Sequence, residues 1–428
     1  MVGNNGGFVK VSVIGLGYIG LPTAAVLASR QVEVVGVDVN QHAVDTINKG
    51  EIHIIEPELD ILVRAAVQTG NLRAVTTPEN ADAFMVAVPT PFKGDHEPDL
   101  TYIESAAKAI APVLEKGNLV ILESTSPVGA TEKMMHWMQE VRPDLSFPGF
   151  GSEGTADISV AHCPERVLPG HVVRELVEND RIIGGVTTQC AERARELYKI
   201  FVEADCLITD CRTAELSKLV ENSFRDVNIA FANELSLICD KLGINVWEMI
   251  KLANRHPRVN ILQPGPGVGG HCIAVDPWFI VDSAPEQAKL IHTARIVNDG
   301  KPNFVLEKVN QAVTSTDRVK GDVNIACLGL AFKPDIDDLR ESPALDIAQQ
   351  IGLMGVGKVL VVEPNIDELP SGFDTESTEL VGLDAALDSA DVVVLLVDHT
   401  PFKRMDLGML SGKQVVDTRG AWVAQKNQ

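Results

Sequence analysis

The sequence predicts an α/β protein in which two Rossmann-like, doubly wound parallel-sheet domains are joined by a long central helix. Short apolar runs alternate with helical patterns in the first half of the chain, and the alternation returns from about residue 322. Between them, about thirty residues from Cys211 carry apolar side chains at helical spacing without a proline. Strands that alternate with helices favour a parallel sheet covered by helices on both faces. We therefore predict three domains, 1–208, 209–312 and 313–428.

The first predicted elements form a βαβ unit. The β-rich run "FVKVSVI" (8–14) leads into "GLGYIG", then the helical stretch "LPTAAVLASR" and a second strand, "VEVVGVDVN". Two more apolar runs, "AFMVAVP" (83–89) and "NLVILES" (118–124), have the length and composition of buried strands. Together they indicate that the first domain contains a parallel sheet.

The central helix is predicted to end at Gly243, because glycine readily adopts the left-handed conformation that closes helices. Beyond it, we predict strands in "DVNIACLGL", "KVLVVEPN", "DVVVLLVDH" and "KQVVDTRG". The tetrapeptide Thr-Pro-Phe-Lys follows a strand twice, at 90–93 and at 400–403. We interpret this repeat as support for two related halves, although four residues can match by chance.

Composition excludes several classes of protein. The formal net charge of −22 argues against nucleic acid and anionic membranes as general partners. Seven cysteines without a CxxC pair indicate reduced thiols in a cytoplasmic protein, with neither a disulfide framework nor a metal site. The first ten residues lack the apolar core of a signal peptide and are expected to form a flexible leader. No run of eighteen apolar residues predicts a membrane span.

A glycine motif predicts a dinucleotide site. Gly15, Gly17 and Gly20 form G-x-G-x-x-G between the first strand and the first helix, so a pyrophosphate can lie at the helix N-terminus. Asp38 closes the second strand, where a carboxylate can bind both ribose hydroxyls and repel a 2′-phosphate. The motif therefore favours NAD over NADP, the alternative being a glycine turn that binds another ligand. Thr90 and Thr125 follow strands of the same sheet, where ligands are contacted.

One cysteine lies in an unusual segment, "GVGGHCIAVDP". Gly269 and Gly270 precede Cys272 and allow either close backbone packing or a large ligand beside the thiol. A helix beginning near Ile273 would lower the thiol pKa, and Asp276 at i+4 would share its face. The alternative is an inert structural thiol, and Cys163 in "HCPER" is a rival nucleophile that lacks the preceding glycines.

The central helix carries a polar cluster. Lys218, Asn222 and Arg225 lie at i, i+4 and i+7 and so share one face. A buried lysine can act as a base or stabilise an oxyanion, and asparagine adds a neutral donor. The alternative is an ordinary solvated helix face.

Two loops carry cationic side chains. "HPRVN" contributes His256 and Arg258 on a segment broken by proline, and "AFKPDIDDLRESPA" contributes Lys333 and Arg340 after a strand. These residues can bind a polyhydroxyl or an anion. Local salt bridges, which contribute little stability at a surface, are the alternative interpretation.

Six segments together resemble the UDP-glucose/UDP-N-acetylmannosamine dehydrogenase family over essentially the whole chain. In order, they are "GLGYIGLP", "ESTSPVG", "CPERVLPG", "AELSKLVENSFRDVNIAFANE", "GPGVGGHCIAVDP" and "GLAFKPDIDDLRESPA". The UDP-glucose branch typically has a lysine where this chain has Val275. The sequence is therefore most similar to the UDP-N-acetyl-D-mannosamine 6-dehydrogenase branch, although Ala274 stands where many relatives have proline.

The resemblance implies an N-terminal NAD domain, a C-terminal domain for UDP and a homodimer built on the central helices. The catalytic residues it implies are Cys272, Lys218, Asn222, Asp276, Glu165 and Thr125. Those for the cofactor are Gly15, Gly17, Tyr18, Ile19, Gly20, Asp38, Thr90, Thr125, Thr131 and Arg340. Those for the UDP-N-acetylhexosamine substrate are Arg166, Val167, Lys218, Asn222, Arg225, His256, Arg258, Gly269, Phe332 and Lys333, with Arg258 reaching across the dimer.

The activity so implied is the four-electron oxidation of C6 through a thiohemiacetal and a thioester on Cys272, in the synthesis of surface polysaccharide precursors. The base of the first oxidation is either Lys218 or a water bound to Asp276. UDP-N-acetylglucosamine and UDP-N-acetylgalactosamine are alternative substrates. Two other classes stay open: a single-step hydroxyacid or polyol-phosphate dehydrogenase, and a non-catalytic protein that binds NAD or a sugar nucleotide.

Overall fold

The computed structural model describes residues 8–54, 56–94, 96–149, 155–168, 170–270 and 272–422. Most of the predicted leader, residues 1–7, therefore lies outside the described residues. The chain divides into two compact units, Met1–Glu221 and Asn222–Gln428, called the first and second units below. Within the described residues, no helix combines the length and apolarity that crossing a membrane requires.

The first unit is built on an eight-stranded sheet. Its order is β10-β9-β8-β7-β4-β1-β2-β3, and neighbours are parallel except for the pair β8 and β9, in which Ala161 lies opposite Gly185. The prediction of a parallel α/β sheet is thus confirmed, with one antiparallel pair, a common feature of doubly wound sheets. The strands are β1 Lys10–Ile14, β2 Glu33–Val37, β3 Leu72–Val75, β4 Ala83–Val86, β7 Leu119–Leu122, β8 Ser159–His162, β9 Arg181–Gly185 and β10 Cys206–Asp210, and a separate hairpin pairs β5 Phe92–Lys93 with β6 Glu97–Pro98.

Helices cover both faces of this sheet. Successive side chains of a strand point to opposite faces, so Val34 and Val35 belong to two different hydrophobic cores. Strands β4 and β7 are buried throughout, which explains why they read as continuous apolar runs. The helices are α1 Gly20–Ser29, α2 Gln41–Asn48, α3 Leu59–Gln68, α4 Thr101–Ile110, α5 Ala130–Val141, α6 Val172–Glu178 and α7 Thr188–Tyr198, with a 3-10 turn at Ala111–Val113.

The central helix α8 spans Cys211–Leu242, 32 residues, and runs from the first unit into the second. It ends where Gly243 adopts a φ of +67°, as predicted. The second unit continues with α9 Val246–Ala253, α10 Asp276–Ser283 and α11 Lys289–Thr314.

A five-stranded parallel sheet forms the rest of the second unit, in the order β13-β12-β11-β14-β15. Its two faces carry separate cores, in which Cys327 and Leu328, adjacent on one strand, lie on opposite sides. The strands are β11 Ile325–Leu328, β12 Val359–Val362, β13 Thr378–Leu380, β14 Val392–Leu395 and β15 Gln414–Asp417. The helices are α12 Pro343–Gly352, α13 Leu383–Ser389 and α14 Thr400–Arg404, with 3-10 turns at Lys320–Asp322 and Leu407–Leu410.

The two sheets share one strand order. Strands β3-β2-β1-β4-β7 of the first match β13-β12-β11-β14-β15 of the second. Thr90 follows β4 and Thr400 follows β14, so the repeated Thr-Pro-Phe-Lys occupies equivalent positions in both. The second copy lies in α14, whereas the first ends in strand β5, Phe92–Lys93.

Candidate functional site

The glycine loop after β1 has the geometry of a dinucleotide-binding turn. Gly15 has a φ of +89°, and a Cβ there would lie 2.5 Å from the Ala87 carbonyl oxygen. A Cβ on Gly20, the first residue of α1, would lie 1.8 Å from the Gly15 oxygen. Gly17 is exposed, and no described atom lies within 4 Å of where its Cβ would be. Two glycines thus shape the turn, while the third leaves room for a pyrophosphate.

Asp38 follows β2 and braces the same loop. Its carboxylate accepts hydrogen bonds from the Leu16 N–H at 2.9 Å and from the Asn40 N–H at 2.8 Å. Each carboxylate oxygen has a second lone pair, so the half-buried side chain can still accept from ribose hydroxyls. The loop and this carboxylate therefore fit NAD.

Threonines follow the two adjacent strands β4 and β7. The hydroxyl of Thr90 is buried and has no hydrogen-bond partner among the described residues, as expected of a group that meets a ligand. Thr125 is half-buried at the end of β7. Tyr18 is exposed, and half-buried Ile19 is the N-cap of α1.

Thr131 has a different environment from the other predicted cofactor residues. It is fully buried, and its N–H and hydroxyl both donate to Glu215 Oε1, at 2.8 and 2.6 Å. The Gly129 N–H donates to the other oxygen of Glu215 at 2.6 Å. Because Glu215 lies in the first turns of α8, these bonds hold α5 to the central helix, and the Thr131 hydroxyl faces Glu215.

The loop after β8 carries a buried ion pair. Glu165 Oε2 lies 2.6 Å from Arg181 Nη1, and the two side chains are 6% and 1% exposed. Glu165 Oε1 accepts a hydrogen bond from the Arg166 N–H at 2.6 Å, and Arg181 also donates to the Leu176 carbonyl at 3.0 Å. Both carboxylate oxygens of Glu165 are therefore held in place by the protein.

A second carboxyl is buried beside this pair. Burial, together with the charge of Glu165, raises the pKa of Glu123 to about 7, and the Tyr198 hydroxyl donates to it at 2.7 Å. Burial also raises the pKa of the neighbouring Cys163 thiol well above its usual range. Thiolate formation at Cys163 is strongly opposed, so the rival nucleophile is disfavoured.

Arg166 ties the same loop to the central helix. Its guanidinium contacts Glu221, with an Nη2–Oε1 distance of 2.8 Å, and donates to the Asp180 carbonyl at 3.3 Å. Val167 is half-buried and packs against the first core. Because Glu221 lies three residues after Lys218 on α8, this ion pair joins the loop to the part of the helix that carries Lys218.

The polar cluster on α8 has graded exposure. Lys218 and Asn222 are half-buried, whereas Arg225 is exposed. Asn222 Nδ2 donates to Asp276 Oδ2 at 2.5 Å, and Asp276 is 3% exposed. An asparagine amide has two N–H groups, so Asn222 can hold Asp276 and still donate to a second acceptor.

Cys272 is exposed, in contrast to Cys206, which is half-buried, and to the other five cysteines, which are buried. Its carbonyl accepts from the Val275 N–H at 3.1 Å and from the Asp276 N–H at 2.9 Å. This turn precedes α10, which begins at Asp276 rather than near Ile273. The helix N-terminus therefore lies one turn beyond the cysteine.

The two glycines before Cys272 serve close packing. A Cβ on Gly269 would lie 2.4 Å from the Glu341 carbonyl oxygen and 2.9 Å from Phe332 Cβ. A Cβ on Gly270, whose φ is +77°, would lie 3.0 Å from the Phe332 ring. Of the two explanations for these glycines, the described contacts support backbone packing against Phe332.

The remaining predicted substrate residues of the second unit lie in two places. His256 and Arg258 are exposed on the loop after α9, where Asn254 holds both the N–H and the carbonyl of Ile261. Lys333 is half-buried and lines a small cavity with Arg419. The side chain of Arg340 donates to Asp338 at 2.8 Å, which is the local salt bridge considered as its alternative.

Four site residues escaped the sequence analysis. Arg181 pairs with Glu165, Glu221 pairs with Arg166, Arg419 joins Lys333, and Glu123 lies beside Glu165. Arg419 and Glu123 follow parallel strands, a position that could have revealed them. Nothing in the sequence pairs Arg181 with Glu165.

The second sheet repeats the carboxylate seen at the end of β2. Glu363 follows β12 and accepts hydrogen bonds from the Leu330 and Ala331 N–H groups at 2.7 and 3.1 Å. The His399 ring lies 3.0 Å from the same oxygen, and both side chains are fully buried. Ala331, the counterpart of Gly17, is also buried.

Sequence profiles of one family match this chain in three consecutive segments. They are the UDP-glucose/GDP-mannose dehydrogenase family NAD binding domain over residues 9–202, its central domain over 212–300 and its UDP binding domain over 326–424.

Individual relatives are similar over nearly the full length. An NDP-N-acetyl-D-galactosaminuronic acid dehydrogenase from Ralstonia nicotianae is 65% identical over 419 residues, covering 98% of this chain and 97% of the relative. A UDP-N-acetyl-D-mannosamine dehydrogenase from Salmonella typhi is also 65% identical, covering 97% and 99%. Among solved structures, a UDP-D-ManNAc dehydrogenase from Pyrococcus horikoshii has a TM-score of 0.85, with 38% identity and 96% of each chain covered.

Proposed function

Because the chain belongs to the UDP-glucose/GDP-mannose dehydrogenase family, we propose that it oxidises C6 of UDP-N-acetyl-D-mannosamine to the carboxylate with Cys272 as the nucleophile. It is an NAD-dependent oxidoreductase of that family. The observation that carries the proposal is the exposure of Cys272, one turn from the Asn222–Asp276 hydrogen bond, while Cys163 is buried with a raised pKa. An accessible thiol beside fixed polar groups is what covalent capture of an aldehyde requires.

The covalent steps follow from this thiol. Bound NAD supplies the hydride acceptor, one equivalent for each two-electron oxidation. The Cys272 sulfur adds to the C6 aldehyde, forming a C–S bond and an oxyanion that takes up a proton. Loss of hydride from that carbon, together with loss of the hydroxyl proton to a base, leaves a thioester. Water then adds, the C–S bond breaks, and the carboxylate leaves as the thiol is restored.

Side chains of α8 assist at the oxyanion. The ammonium group of Lys218 would stabilise the oxyanion by its charge. Asn222 would donate a hydrogen bond to the oxyanion from the amide N–H that does not bind Asp276. The base of the first oxidation is Lys218 or a water held by Asp276. Thr125 and Glu165 would position the hydrolytic water, and the Arg181 guanidinium keeps the Glu165 carboxylate fixed for that task.

The nucleotide-sugar contacts are proposed on both units. Lys333 has no hydrogen bond or ion pair within the described part of the chain, so its ammonium is available for a diphosphate, with Arg419 beside it. The further contacts we propose with the substrate are those of Arg166, Val167, Arg225, His256, Arg258, Gly269 and Phe332.

The epimer is proposed as UDP-N-acetyl-D-mannosamine because Val275 replaces the lysine typical of the UDP-glucose branch. A galactosamine epimer is the second candidate, because the Ralstonia and Salmonella relatives are equally similar at 65% identity and carry different substrate names. NADH formation with UDP-N-acetylmannosamine, UDP-N-acetylgalactosamine, UDP-N-acetylglucosamine and UDP-glucose discriminates them. A higher kcat/KM for the galactosamine epimer would overturn the choice.

The nucleophile is tested with Cys272→Ser and a matched control, Cys206→Ser. We expect Cys272→Ser to abolish carboxylate formation while NAD still binds, and Cys206→Ser to retain activity. Quenched wild-type enzyme should carry a hexosaminyl adduct on the peptide containing Cys272, and two NADH should form per carboxylate. Wild-type turnover by Cys272→Ser would refute the assignment, and one NADH per product would indicate single-step chemistry.

A homodimer is proposed from the surface of α8. Apolar side chains recur on this helix at intervals of four and seven residues and are at least 41% exposed, at Leu216, Val220, Phe224, Phe231, Ile238 and Leu242. Such a stripe is typical of a helix that packs against another. Phe231→Glu should convert a dimer into monomers in light scattering, whereas the exposed polar change Glu234→Gln should not. A wild-type monomer would contradict the proposal.

The three-domain division, the cytoplasmic location and the role in surface polysaccharide synthesis stay predictions.

A further inference from the structure

The second unit contains a cavity of about 650 Å³, and none of the residues proposed to bind the nucleotide sugar lines it. It is lined by the end of α8, by α9 and α11, and by β15, and it shares no lining residue with the cavity of Lys333 and Arg419. Aromatic side chains on its wall are Trp247 and Phe304, and cationic ones are Lys301 and Lys308. A volume of this size holds a small organic molecule.

Lys301 is the feature of this cavity that points to a ligand. Its side chain lines the cavity yet the residue is only 5% exposed. Within the described ranges, its ammonium has neither a hydrogen bond nor an ion pair, and it lies 4.4 Å from the centre of the Phe304 ring. Burial lowers the pKa of Lys301 to about 8. A buried ammonium without an anionic partner is costly, which favours an anion in the cavity.

The neighbouring charges offset the charge of Lys301 only in part, since burial lowers its pKa although the charge of Asp240 raises it. Asp240 lies nearby but is already paired with Lys308 at 2.6 Å, and Lys308 also contacts the Phe304 ring at 5.4 Å. The other carboxylate on the wall, Asp417, accepts hydrogen bonds from the Arg419, Gly420 and Trp422 N–H groups. Two ammonium groups thus lie close to the Phe304 ring, and of these only Lys308 forms an ion pair among the described residues.

We propose that this cavity binds a small organic anion, with its phosphate or carboxylate against Lys301 and its ring or apolar body between Trp247 and Phe304. Gln311 lies on α11 with Lys301 and accepts a hydrogen bond from Lys308 at 3.3 Å, so the N–H groups of its amide can donate to the same ligand. The site is independent of the proposed oxidation chemistry. It is, however, next to the nucleotide-sugar cavity along the chain, because Thr418 lines one cavity and Arg419 the other.

The test is calorimetric titration of the whole protein with phenyl phosphate in the presence of saturating NAD and UDP, which occupy the nucleotide sites. We expect one equivalent to bind per chain. Lys301→Met should weaken binding at least tenfold, Lys301→Arg should retain most of it, and Lys320→Met, in an exposed 3-10 turn, should not change it. Inorganic phosphate should bind more weakly, and benzoate replaces phenyl phosphate to distinguish carboxylate from phosphate preference.

Lysine footprinting of the wild-type protein tests whether the ligand binds at Lys301, and it does not depend on whether a variant folds. Acetylation at pH 8 followed by peptide mapping should label Lys301, and phenyl phosphate should protect it, while labelling of Lys320 stays constant. Absence of binding, equal binding by Lys301→Met, or unprotected Lys301 would each overturn the proposal.

Discussion

Removal of the Arg181 guanidinium is the sharpest test of how the first unit is stabilised. Arg181→Met keeps much of the apolar volume but leaves Glu165 buried and unpaired, beside the buried carboxyl of Glu123. Removing one partner of a buried ion pair costs about 3–5 kcal/mol, because the other charge keeps its desolvation penalty. We therefore expect the variant to be destabilised by that amount.

An exposed pair of nearly equal length provides the control. Arg174 and Glu178 lie 2.7 Å apart, against 2.6 Å for the buried pair, but their side chains are 73% and 53% exposed. Pairs of this kind contribute only about 0–1 kcal/mol, since water screens them. Arg174→Met should therefore have little effect, which separates burial from geometry as the source of the stabilisation.

Scanning calorimetry measures the difference. For a unit of about 200 residues, each kcal/mol shifts Tm by roughly 2–4 °C, so Arg181→Met should melt roughly 6–20 °C below wild type. The double variant Arg181→Met/Glu165→Gln removes the stranded charge and should recover part of the loss. The reasoning is refuted if Arg181→Met melts within 2 °C of wild type, or if the double variant melts lower still.

Three further predictions concern Glu123, Asp38 and Gly269. Glu123, whose pKa is raised to about 7, stabilises the fold fully below pH ~4.5 and loses that contribution as pH rises through 7. In urea denaturation, the free energy of unfolding of Glu123→Gln should therefore rise relative to that of wild type by about 3 kcal/mol between pH 4.5 and pH 8. A difference between the two proteins that stays constant over this pH range would contradict the prediction. Asp38→Ala should raise the Kd for NAD roughly tenfold or more and reduce the preference over NADP, measured by titration; an unchanged preference would count against Asp38. Gly269→Ala should lose about 1–3 kcal/mol to overpacking against Glu341, whereas Gly300→Ala, which meets nothing within 4 Å, should be neutral or stabilising; equal melting temperatures would disprove the crowding.

Local patterns predicted most of the architecture. The strands of both sheets are short apolar runs because helices cover both faces, and the central helix ends at Gly243 because that residue adopts positive φ. The shape of the glycine loop also follows from the sequence, since the turn at Gly15 excludes a side chain. These features depend on neighbours close in the chain.

Features that depend on residues distant in the chain were harder to predict from the sequence. The antiparallel pairing of β8 with β9 has no signature in either strand. The packing of Gly269 and Gly270 against Phe332 joins segments about sixty residues apart, so the sequence left two explanations open. The start of α10 at Asp276 likewise depends on the turn at Cys272.

The two sheets have the same strand order, but the turn after the first strand is open in one sheet and buried in the other. At the end of β12 the Glu363 carboxylate is fully buried against the His399 ring. Ala331 is buried at the position equivalent to Gly17, which is open in the other sheet. Of these two described turns, the one after β1 is therefore the one with space for the pyrophosphate of a dinucleotide. In the two-step oxidation proposed above, the reduced coenzyme would leave this site before a second NAD binds, and the covalent bond to Cys272 would keep the intermediate on the protein during the exchange.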